Sequence, residues 1–133
     1  MKENVCGGIM NVETKLVKAS LHSITPLIPA GSDLAKALAF YTEHMGFSVI
    51  WQGGNMAGIK RDDISFNLVK NDNREWIENT SFSIGVSDLE ALYQEYRHIP
   101  AKVGALETKS WGRREFHIIA HGVAFQFYQR EAA

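Results

Sequence analysis

The sequence lacks most of the features that announce a function. It holds one cysteine, Cys6, in 133 residues. An internal disulfide is therefore excluded, and a reducing cytoplasm is the expected setting. No apolar run approaches the roughly 20 residues that a membrane helix needs. Glu3, Asn4 and Asn11 stand where a signal peptide would have its apolar stretch, so no export signal is expected. Neither sign of charge dominates: the formal net charge is −1, with Lys and Arg scattered along the chain. That speaks against a nucleic-acid or anionic-membrane partner, since either needs a concentrated basic face. There is no GxSxG elbow, no phosphate loop and no nucleophile–base pair within local sequence.

What is present is the composition of a soluble globular protein, 45% hydrophobic and 22% charged, on a chain long enough to bury one core. Residues 1–20 show no clear periodicity and are expected to form an N-terminal extension, flexible or an edge strand. Residues 21–133 are expected to form a single domain.

A short repeat organises that domain. Ser-Asp-Leu occurs at Ser32–Leu34 and again at Ser87–Leu89, each time after an extended apolar run and before a helical stripe. Leu34, Leu38 and Tyr41 form the first stripe; Leu89, Leu92, Tyr93 and Tyr96 form the second. Ser32 and Ser87 are the expected N-caps, Ser87 with Glu90 in a capping box, and Gly46 and Pro100 are the expected stops. Strands are expected over 21–28, 48–52, 56–61, 64–70, 81–86, 113–120 and 123–129. The fold class is thus α+β, two βαβββ modules (about 21–76 and 77–130) whose curved mixed sheets surround a cup, with helices packed on the outer face.

Strand alternation divides the faces. Ile64, Phe66 and Leu68, Phe82 and Ile84, and Val123, Phe125 and Phe127 fall on the core side. Ser65, Asn67, Ser81, Ser83, Gln126 and Tyr128 fall on the opposite, small and polar side. Such a front is either solvated or the lining of a cup.

The segments AFYTEHMGF (39–47), AGIKRDDISF (57–66) and SWGRREF (110–116) resemble the vicinal-oxygen-chelate superfamily of glyoxalases, bleomycin-resistance proteins and dioxygenases. The bleomycin-resistance branch is the nearest, and the likeness spans roughly 24–129. The resemblance implies a homodimer that binds a small organic ligand, drug-like and planar or cationic, in a cleft between subunits. Its metal-dependent members hold a divalent ion at positions that fall here at Thr25 or Pro26, Asn67, Ser81 and Gln126. None of these is His, Asp or Glu, so no metal and no other cofactor is expected. The chain is read as a non-enzymatic binder of the antibiotic-resistance type. A metal-dependent lyase, thiol transferase or dioxygenase of the same fold is the alternative, and a non-catalytic interaction module is another.

By resemblance Trp111 of the WG motif lines the cleft, with Trp51 and Met56 in a second lining region. Trp51 and Trp76 suit a pocket or a packed interface equally. Asn67, Ser83, His117 and Gln126 complete the expected ligand-binding set. His117 with Glu115 forms either an acid–base pair or a surface hydrogen bond. His22, His44, His98 and His121 are not expected to ligate. Two departures from the branch matter: Gln52, Gly53, Gly54 and Asn55 replace acidic residues, and Ala120–Val123 replaces the usual Asp-Pro-x-Gly-Asn turn. A neutral cleft loses its attraction for a cationic drug.

Overall fold

The computed structural model describes residues 17–130. Most of the expected extension, residues 1–16, lies outside them. Strands β1 (Leu27–Pro29), β2 (Ser48–Gly53), β3 (Met56–Arg61) and β4 (Ile64–Val69) form one sheet in the order β1-β4-β3-β2, with helix α1 (Leu34–His44) between β1 and β2. A short helix α2 (Arg74–Glu78) leads to β5 (Ser81–Val86) and helix α3 (Leu89–Tyr96). Then come β6 (Lys102–Val103), β7 (Glu107–Thr108), β8 (Arg114–Ala120) and β9 (Val123–Gln129). The second sheet runs β5-β9-β8-β6, with β7 also pairing with β8.

In each sheet the first strand lies parallel to the last, and all other pairings are antiparallel. The two registers match: Leu27 faces Asn67 and Ile28 faces Leu68, as Ser83 faces Gln126 and Ile84 faces Phe127. The module repeat expected from the sequence is therefore present, with α+β architecture and helices on the backs of the sheets.

One core joins both halves. Phe66 of β4 meets Phe82 of β5 and Phe125 of β9, each with ring centroids 5.8 Å apart. Tyr41 of α1 reaches across to Phe125 at 6.2 Å, while Tyr96 of α3 packs on Phe127 at 5.6 Å. Aromatic pairs at such separations add to the area they bury.

Several boundaries differ from expectation for local reasons. Residues 21–26 form no strand, and Leu21 and Ile24 are exposed; pairing with β4 begins only at the Pro26 carbonyl, which accepts from Asn67 N–H at 2.8 Å. The caps are Asp33 and Asp88, not the serines. Each aspartate has extended backbone, and its carboxylate accepts the N–H three residues on, from Lys36 at 3.0 Å and Ala91 at 3.1 Å. Glu90 pairs with Arg114 at 2.6 Å instead of closing a capping box. Gly46 does end α1, at φ 80°, whereas α3 stops at Tyr96, short of Pro100. Helix α2, capped by Asn73, was not expected, because five residues are too few to display a stripe.

Candidate functional site

The polar fronts carry two clusters, one on each sheet. On the first sheet, Trp51, Gly58, Asn67 and Leu27 lie in register across β2, β3, β4 and β1. A bulge between Val49 and Trp51 sets the position of the indole. Gly58 is what lets that ring lie flat on the sheet, since a Cβ there would run into it. Met56, half-buried, begins the neighbouring strand. Trp51 is 41% exposed, enough to present a face to a ligand. Gly58→Ala should lift Trp51 off the sheet, seen as a red-shifted, more quenchable tryptophan emission with a small stability change. Unaltered emission would show that the glycine has no such role.

The second cluster is built on a buried carboxylate. Ser83, Gln126 and His117 form one row across β5, β9 and β8; Gly85, Tyr128 and Glu115 form the next. Glu115 is 0% exposed, the only buried charged residue among those described. Both its oxygens are engaged. Oε1 lies 2.7 Å from His117 Nε2, and Oε2 accepts from Arg113 Nε at 2.8 Å and from the Trp111 indole at 3.0 Å. Trp111 stands at the tip of a turn closed by Lys109 and Arg113, in which Gly112 takes φ 92°. That left-handed backbone is why glycine follows the tryptophan. The Arg113 guanidinium lies 4.1 Å over the Tyr128 ring, and Tyr128 in turn lies over Gly85. Ser83 Oγ donates to Gln126 Oε1 at 2.8 Å.

Burial alone would raise the Glu115 pKa, but hydrogen bonds from Arg113, His117 and Trp111, with the Arg113 charge, hold it at about 2. The carboxylate is thus an acceptor only, so His117 Nε2 carries the donated hydrogen. A carboxyl whose pKa is lower folded than unfolded gives stability that is complete above the ordinary value of 4.5 and lost as pH falls toward 2. Urea titrations across that window should show this loss in the native chain and a smaller loss in Glu115→Gln. Equal slopes would contradict the role of the carboxylate.

The structure therefore gathers Ser83, Trp111, His117 and Gln126 on one front, and Trp51, Met56 and Asn67 on the other. No hydrogen bond or ring contact among the described residues joins the two. Trp76 belongs to neither row: it sits half-buried in α2, not in a loop. Arg113 and Tyr128 are additions to the expected set, although the WGRREF string and strand alternation held the signal for both. A cavity of about 480 Å³ opens elsewhere, between α3 and the turn at Asp62 and Asp63, over Ile64, Ile84 and Phe127. None of the expected ligand-binding residues lines it.

The register also corrects the positions compared with a metal site. Ser83, not Ser81, faces Gln126; Leu27, not Thr25 or Pro26, faces Asn67. An aliphatic chain, two neutral amides and a hydroxyl do not fit a divalent ion. No group of three His, Cys, Asp or Glu able to hold a metal occurs among the described residues, and no described helix is long and apolar enough to cross a membrane.

No curated protein matches the chain. Among solved structures it is similar to a bleomycin resistance determinant encoded on the transposon Tn5, at 19% identity and TM-score 0.74, covering 84% of this chain and all of that one. A bleomycin-binding protein complexed with bleomycin gives the same figures. The bleomycin-binding protein of Streptomyces verticillus, complexed with copper(II)-bleomycin, is 20% identical with TM-score 0.70 over 84% of this chain and all of that one. At these identities the likeness is one of fold. The model of the Glyoxalase/Bleomycin resistance protein/Dioxygenase superfamily matches residues 24–130, and the chain belongs to that superfamily.

Proposed function

We propose that this chain is a metal-free, non-catalytic binding protein that sequesters a small planar molecule as a cytoplasmic homodimer. The observation that carries this reading is the pair of open fronts, each with an exposed tryptophan fixed above small or polar neighbours. Trp51 rests on Gly58, and Trp111 is tethered to Glu115. On one chain each front presents an exposed tryptophan and lies outside the cavity beside α3. A second copy set against it would supply the missing wall, with the first-sheet row of one subunit facing the second-sheet row of the other. Stacking on each indole contributes on the order of 0.5–2 kcal/mol, which suits retention of a flat molecule. The fold shared with a bleomycin-binding protein complexed with bleomycin supports the same reading.

The His117–Glu115 contact of 2.7 Å is the one feature that favours acid–base chemistry. Trp111 and Arg113 share that carboxylate, however, and this suits a rigid scaffold better than a proton relay. The test combines light scattering after size exclusion with tryptophan fluorescence titrated by planar compounds, on protein analysed for metal. A dimer, quenching by at least one compound and recovery of that compound unchanged are expected. A monomer at micromolar concentration, a stoichiometric divalent ion or a converted compound would overturn the reading.

A further inference from the structure

We infer that the second-sheet front selects a planar aromatic acid, with the ring on Trp111 and the oxyanion at Arg113 and Gln126. This inference rests on the binding reading above and adds the charge of the ligand.

The cluster keeps free donors on Arg113 and Gln126, while its buried carboxylate is fully engaged. Each oxygen of Glu115 already accepts from at least one side chain, and the carboxylate is buried, so a ligand cation has no access to it. Glu107, beside Glu115 on β7, is paired with Lys109 at 2.8 Å. The face of Tyr128, which would attract a cation, is covered by the Arg113 guanidinium. Arg113 itself is 36% exposed along its side chain. Its Nε is held by Glu115, and Nη2 makes one long contact of 3.4 Å, to Ser83. The planar fork is therefore fixed in direction, with amino hydrogens left to donate. Gln126 receives the Ser83 hydroxyl on its oxygen, and its amide nitrogen remains a donor. Donors held in place beside an aromatic shelf recognise an oxyanion next to a ring, because charge-assisted hydrogen bonds are the stronger kind.

Three probes on one naphthalene ring test the inference on the full chain: 2-naphthoate, 2-naphthamide and 2-naphthylmethylammonium, each titrated by tryptophan fluorescence. Naphthoate should bind about 10-fold tighter than the ammonium compound. Arg113→Gln should remove that preference while changing naphthamide affinity little, and Arg113→Lys, which keeps the charge without the fork, should fall between. The apo emission spectrum of each variant reports whether Trp111 keeps its place. Ammonium binding as tight as naphthoate binding would overturn the inference and leave sequestration standing. Binding of none of the three would overturn both.

Discussion

Phe125→Ala should cost about 3–5 kcal/mol of unfolding free energy, the range for truncating a buried phenylalanine. Phe125 is 1% exposed and lies within 6.2 Å of the rings of Tyr41, Phe66, Phe82 and Phe127. Those four come from α1, from the first sheet and from two strands of the second. The substitution thus opens a void where the modules meet, in a place that neither sheet can fill without moving against the other. Phe125→Leu, which keeps most of the volume, should cost less than half as much. Urea denaturation at fixed pH measures both. A loss below about 1 kcal/mol for alanine would mean that the halves are joined elsewhere.

Arg61→Met should cost about 2–3 kcal/mol, although the guanidinium reaches solvent. It donates to the Met45 carbonyl at 3.0 Å, the Tyr96 hydroxyl at 2.8 Å and the Glu95 carboxylate at 2.7 and 3.0 Å. Tyr96 also donates to Met45 at 2.6 Å. One side chain of β3 thereby ties the end of α1 to α3, across the module boundary. Methionine keeps the aliphatic packing and removes the donors and the charge, so the loss reads the polar contacts of the guanidinium, its ion pairs and its place over the Tyr96 ring included. Arg61→Lys should recover less than half, because an ammonium cannot form the two-pronged contact with Glu95. Stability of Arg61→Met equal to that of the native chain would assign the contacts to the surface, where they contribute little.

Arg61 also shows how far the sequence could be read. Within AGIKRDDISF it marked the drug-binding branch, yet its atoms brace the fold and touch neither front cluster. The alternation of Ile64, Phe66 and Leu68 against Ser65 and Asn67 was legible because side chains in strands reverse with period two, and it divided core from front correctly. The matching registers of the two modules followed from the repeat. Cap identity was not legible between adjacent Ser and Asp, since that choice depends on which residue takes extended backbone. Gly58 and Gly85 gave no sign that rings lie over them, because the rings come from other strands.

The network at Glu115 was only partly legible. Strand alternation placed Glu115 and His117 on one face, and the contact between them follows. The indole of Trp111 and the fork of Arg113 come from a turn, whose direction depends on Gly112 and on a backbone bond between Lys109 and Arg113. Metal-site reasoning reached its negative answer from residues that the register shifts by one or two positions. The replacements, Leu27 and Ser83, are no better as ligands.

The central claim is binding by protein groups alone. Its most direct test is the affinity for 2-naphthoate measured by fluorescence in excess EDTA, and again after adding back a divalent metal. The account predicts the same dissociation constant in both, with the compound recovered intact. Binding that vanishes with the chelator and returns with the metal would contradict it.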